Sequence, residues 1–358
     1  MSLAVTVLKN SAVLLLFLLF ISCGTKNKEY ANNAFPYSQF PQEKELKGEV
    51  IELDTALFRY PFRIRIEGDK AIVLDLHGSD YYGHLFQYPS FRYLSSFGRR
   101  GDSPLEMLSM ENFRLHNHTL WTLDANKSEL TRLDFSSSGD SLLREETVAL
   151  DEDILRPLDF AIYNDTTFVI PDYSGESRFL KVDCKGKLIE KIGTIPTTNK
   201  KALQEARPAL AQAWRSFLDY NSHNSVLATV TQLGEVVEIY NLKDSTHVIR
   251  VGEYDEPEFK VSDGYGIPTG IMGFSDVQVT DDAIYAVFHG TSFKDIARQS
   301  GRLSDGGKYI YVFSLKGEPL CKYVLDHYIY GIWVDEVTKT IMATDVNNDQ
   351  PILKFSFG

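Results

Sequence analysis

The chain has 358 residues, 43% of them hydrophobic, and a formal net charge of −12. That length can bury a sizeable core, and the acidic balance argues against nucleic acid or an anionic membrane surface as partner, since both reward basic patches. Its cysteines, at 23, 184 and 321, are too few and too far apart for a disulfide framework.

In chain order, Lys9 precedes an apolar run from Ser11 to Ile21. The run is shorter than the ~20 residues a spanning helix needs and has the length of a secretory h-region. Residues 1–22 therefore read as a signal peptide. Ser22 followed by Cys23 resembles a bacterial lipobox, which implies a diacylglycerol on the Cys23 thiol and cleavage before it. Loss of the one lysine in 1–22 takes the charge from −12 to −13. Residues 23–44 are polar, rich in Asn and Pro, and without strand or helix period, so they are expected to form a flexible tether. Bacteroidetes lipoproteins sorted outward tend to carry acids directly after the cysteine. Lys26 and Lys28 stand there instead, which predicts a periplasm-facing anchor. Cys184 and Cys321 are expected to be small, partly buried residues.

From residue 45 onward, short runs rich in Val, Ile, Leu, Phe and Tyr alternate with Gly, Asn, Asp and Ser, the pattern of strands and turns. One run recurs: "AIVLD" ending at Asp75, "LWTLD" at Asp124, "FVIPD" at Asp172, "VLATVT" at Thr231, "YAVFH" at His289 and "IMATD" at Asp345. Each follows another short strand across a tight turn, and each of the first five precedes two more. This is the arithmetic of an all-β, six-bladed propeller of four-stranded blades over residues 45–358. The sixth unit has only Ile352–Phe357 after Asp345 and lacks an outer strand, whereas "GEVIELD" at 48–54 is a strand without a blade. Placing it on the last blade closes the ring and hides its edges.

Labelling the strands of each blade A to D outward puts the A–B and C–D turns on one face and the B–C and D–A links on the other. The long connections are 98–111, 193–219 and 252–273, all D–A, and 290–307, a B–C link. All four share one face, which is the expected working surface. A helical insertion precedes blade 4 within 199–220, with Leu203, Ala206, Leu210, Trp214 and Phe217 forming one stripe and Pro208 breaking or kinking it. Packing on the blade tops is its first expected role.

The stretch "FGRRGDSPLEM" at 97–107 crosses from blade 1 to blade 2. Its glycines and Pro104 mark a corner, so its Arg-Gly-Asp reads as incidental. The segment resembles the G-R-K-G-x-G-P-G-E-F crossover of Bacteroidetes six-bladed TolB-like propeller lipoproteins. Gly98, Arg99, Arg100, Gly101, Pro104 and Glu106 match it; Ser103 and Leu105 replace two glycines, and Met107 the phenylalanine. Segments 222–242, 274–290 and 308–326 resemble that family's fourth and fifth blades. The resemblance implies the fold and an envelope location, not a reaction.

Asp75, Asp124, Asp172 and Asp345 recur after strand B, where each is expected to cap its own B–C turn. The pair His116 and His118 reads as an A–B turn, because a metal site needs three or four ligands. None of the HExxH, GxSxG or phosphate-loop patterns occurs, and no catalytic residue or metal ligand set is assigned. The leading expectation is a monomeric, non-enzymatic module without a cofactor. It would bind a protein, peptide or glycan through the long-loop face, with Arg156, Asp159, Asp219, Asp276, His289 and Tyr330 at the channel mouth. Arg99, Arg100 and Trp214 are candidate partner contacts. The alternative is a metal-dependent hydrolase, lactonase or lyase at the channel mouth, with Ca²⁺ held there.

Overall fold

The computed structural model describes residues 33–54, 58–298 and 304–358. The signal-peptide and Cys23 readings lie outside the described residues. Six sheets, each with four consecutively paired antiparallel strands, form the blades. Blade 1 runs Pro61–Glu67, Lys70–Asp75, Tyr81–Gln87 and Arg92–Arg99. The innermost strands of blades 2 to 6 are Met110–His116, Ala161–Asn164, Ser216–Asn221, Phe274–Val279 and Ile332–Asp335. Each touches the next around the ring, and blade 6 returns to blade 1.

The hydrophobic pattern explains the layering. Second strands such as Val226–Thr231 and Ala283–Phe288 are buried along their whole length, as strands covered on both faces must be. Outer strands such as Leu188–Ile192 leave Ile189, Glu190 and Lys191 exposed. The closing strand is where the sequence puts it. Glu49–Ile51 pairs antiparallel with Ile352–Lys354 and completes blade 6.

The expected tether, 23–44, is corrected over 33–44. Ala34–Pro36 lies parallel on the outer strand of blade 4, and Gln42–Leu46 lies parallel on that of blade 5. These pieces have little apolar period of their own; the open edges of two blades supply their hydrogen bonds. Tyr37 and Phe40 fix the crossing between them by packing their rings on Phe313 and Tyr311.

The insertion before blade 4 is two short helices, α1 (Lys200–Glu205) and α2 (Arg207–Ala213). Ala206 separates them, and Pro208 sits in the first turn of α2, where its missing N–H costs nothing. The stripe expected to reach Phe217 as helix ends earlier, because Ser216 already begins strand A of blade 4. Two further pieces lie on the same face: a hairpin, Phe259–Ser262 with Tyr265–Pro268, and α3 (Phe293–Arg298) in the B–C link of blade 5.

Candidate functional site

The central channel is filled by charged side chains that neutralise one another. Arg63 and Arg65 point inward from alternate positions of blade 1's strand A, as the period of two dictates. Arg65 grips Asp276 of blade 5 with two hydrogen bonds of 3.1 Å and also donates to the Ile332 carbonyl at 2.7 Å. The Arg63 Nε lies 3.3 Å from Asp276 Oδ1. Nearby, Arg114 Nη2 donates to Asp159 Oδ1 at 2.8 Å and to the Leu218 carbonyl at 2.6 Å. Asn112 Nδ2 adds a bond of 2.7 Å to the same carboxylate oxygen, and the Leu218 N–H binds the other at 3.0 Å. Burial opposes the charge on Asp276, but Arg63 and Arg65 outweigh it and hold the carboxyl below its ordinary range. Burial is the larger influence on Arg63, whose guanidinium falls to about 10. It is sandwiched by Phe62 at 4.0 Å and Phe217 at 4.7 Å.

This arrangement corrects three expected mouth residues. Asp159 and Asp276 are each 1% exposed and serve as ring-crossing ion-pair partners, not as open ligands. Strand A of blade 4 begins at Ser216, so Asp219 lies further along it, toward the A–B turns. There it faces a hollow shared with Arg114, His223 and Asp281 and accepts the Val279 N–H at 2.8 Å.

His289 and Tyr330 do meet at the long-loop end of the channel, edge to face at 5.7 Å, but both are buried. Burial pushes His289 down to about 4, so it is neutral at pH 7, and its Nε2 has no hydrogen-bond partner. Tyr60 packs on Tyr330 and donates its hydroxyl to Asp305, whose backbone is clasped by the Asn347 side chain. Tyr60 and Asp305 are unmarked in the sequence, because a loop and a B–C link supply them. The mouth is a plug of rings.

An open feature lies on the long-loop face. A cleft of about 480 Å³ is lined by Leu155, Arg156, Leu158, Tyr173, Pro208, Gln212, Arg215, Gln232, Leu233, Gly264, Tyr265, Gly266, Pro268, Met272 and Phe293. Every one of these residues belongs to a D–A or B–C connection of blades 2 to 5, which bears out the face assignment. Arg156 is therefore a lining residue of this cleft. It is exposed and sits at φ 47°, in the left-handed region uncommon for a side-chain-bearing residue. Arg215 contacts Glu111 loosely at 3.4 Å. The Tyr173 hydroxyl is buried without an acceptor, and burial raises its pKa to about 12. One wall is set by Gly266: its N–H donates to Gln212 Oε1 at 2.9 Å, and a Cβ there would sit 2.4 Å from the Ala209 carbonyl oxygen. Only glycine lets the hairpin press on α2 this closely.

The other candidates take structural places. Trp214 is 1% exposed and packs with Leu210, Val236 and Ile249, so the packing reading stands and the partner contact is corrected. Arg100 stacks on Tyr82 at 3.8 Å and donates to the Leu76 carbonyl, while exposed Arg99 faces Glu106 at 3.5 Å. Lys127 Nζ ties the same crossover at the Ser103 and Glu106 carbonyls, each at 2.7 Å, so the stretch is a braced corner. The recurrent aspartates cap their turns: Asp172 accepts from the Ser174 and Ser177 N–H groups, and Asp345 from that of Asn347. Asp75 and Asp124 also clamp the incoming link, through Tyr60 and Leu108 N–H groups. His116 bonds Asp165 at 2.7 Å beside the turn at Asn117 and His118. Cys184 and Cys321 are unpaired, half-buried and buried respectively. Among the described residues no three His, Cys, Asp or Glu side chains gather as a metal ligand set.

A family model described as TolB-like 6-blade propeller-like matches residues 39–337. Solved structures of similar fold include a putative exported protein from Bacteroides fragilis, at 12% identity and TM-score 0.53, covering 90% of this chain and 98% of that one. A DUF4221 family member from Bacteroides vulgatus aligns at 10% identity and TM-score 0.54, covering 88% and 96%. An auxiliary nutrient binding protein from Bacteroides ovatus aligns at 10% identity and TM-score 0.52, covering 84% and 70%. No curated protein matches the sequence.

Proposed function

Because this chain belongs to the TolB-like six-bladed propeller family, we propose that it is a non-enzymatic binding module of the cell envelope, anchored through lipid on Cys23. The carrying observation is the cleft. It is the opening formed where three of the four long connections meet, its volume is in the range of small-ligand sites, and apolar walls surround a few polar groups. A peptide, a protein terminus or a glycan end fits such a site. The fold neighbour described as a nutrient binding protein agrees with a binding role. The channel supports this reading over catalysis there, because its carboxylates Asp159 and Asp276 are already taken by guanidinium groups.

Two experiments test it. Radical footprinting of the full chain against panels of peptides and oligosaccharides is expected to protect 155–158, 208–215 and 264–272 together. Protection confined to the A–B turns around 116–118 and 221–224 would refute the cleft as the working site. For the anchor, Cys23→Ser is expected to move the protein from the membrane to the soluble fraction; an unchanged membrane fraction would exclude lipid on Cys23.

A further inference from the structure

We propose that the cleft takes a ligand with a carboxylate on an apolar body, of the size of a free peptide C-terminus, an inference that rests on the cleft being the binding site. The lining supplies hydrogen-bond donors and positive charge. Arg156 and Arg215 face it, and it has no Asp or Glu, in a chain whose formal net charge is −12. Arg156 has no hydrogen-bond or ion-pair partner among the described residues, although its backbone is held in a conformation that disfavours side chains. Arg215 makes one long ion pair, with Glu111 at 3.4 Å, and lies over the Phe217 ring at 6.0 Å. The buried Tyr173 hydroxyl lies near Arg215 and lacks the acceptor that such a group needs. A carboxylate has two oxygens and accepts from two guanidinium groups and a hydroxyl at once.

The rest of the lining defines what the carboxylate is attached to. Leu155 and Tyr265 are 53% and 58% exposed at the rim, and Leu158, Leu233 and Met272 continue the apolar surface. A hydrophobic side chain next to the carboxylate removes this surface from water. The C-terminal residues of a peptide have both features. A free N-acyl amino acid shares the chemistry and is the second source.

The test is calorimetric titration of the full chain in detergent with N-acetyl-Ala-Leu-Phe as free acid, the same peptide as C-terminal amide, and N-acetyl-leucine. The acid is expected to bind about tenfold or more tightly than the amide, with affinity falling as salt rises. Tighter binding of the tripeptide than of N-acetyl-leucine assigns the peptide source, and equal binding the single amino acid. Arg156→Gln, a change at an exposed side chain, is expected to weaken the acid by about tenfold and leave the amide unchanged. Tyr173→Phe is expected to weaken the acid by a few fold. Equal binding of acid and amide, or equal loss of both in Arg156→Gln, overturns the carboxylate. So does failure of every acid. If footprinting still protects the cleft with a neutral or basic ligand, only the ligand class is wrong; if nothing protects it, the cleft reading fails as well.

Discussion

At the scale of single residues, the charges in the channel show how a propeller closes its own centre. Asp276 alone accepts from Arg65, Val277 and Ile332 and lies against Arg63. Breaking a buried pair by removing one charge leaves the other uncompensated, at a cost of about 3–5 kcal/mol. Asp276→Asn is therefore expected to lower the unfolding free energy by that amount in denaturant titration. A loss below about 1 kcal/mol would show that the arginines find other partners. Asp159 and Asp276 were legible as residues at the strand-A entrances of the channel, but their burial and their partners were not. Arg65 and Asp276 are 211 positions apart, and no local pattern links them. The same holds for Tyr173, which follows the recurrent Asp172 and carries no signal that its hydroxyl is enclosed.

At the scale of elements, the long-loop face is an assembly of short pieces that hold one another. The hairpin at 259–268 rests on α2 through Gly266. Gly266→Val is expected to push it away, raising amide exchange over 207–213 and 259–268 while the blades keep their protection. Uniform loss of protection would instead make the hairpin part of the cooperative core. The blades were readable because each strand has its own apolar period, and the closing strand because the count of strands demanded it. The hairpin and α3 were not. The hairpin's strands are four residues each, and α3 spans only six residues with none buried, so both are too short for their pattern to stand out. The strands at 34–36 and 42–46 escaped for the related reason that an existing edge makes them. The packing role expected first for the insertion holds for Trp214, although its helix ends early, whereas the partner contact expected of it does not fit a side chain 1% exposed.

At the scale of the whole molecule, buried histidines link stability to pH. Burial pushes His84 and His289 down to about 4 from an ordinary value near 6.5, so both are neutral in the folded state. The unfolded chain takes up their protons first as pH falls. Their contribution is complete above pH 6.5 and erodes toward pH 4, by up to about 3 kcal/mol each. Glu238, buried yet held down to about 2 chiefly by Arg178, extends the loss from about pH 4.5 toward 2. The melting temperature is expected to fall between pH 6.5 and 4, and to fall less in His289→Asn; identical slopes would show that His289 is not the source. The path of the N-terminal segment has a mechanical consequence. Between residues 34 and 51 it is fastened to blade 4, then to blade 5, then to blade 6, where it closes the ring. Tension applied ahead of residue 33 is met by these fastenings in series. Two sacrificial seams on the rim must part before any pull reaches the latch, so a tugged molecule would pay out slack before its ring opens.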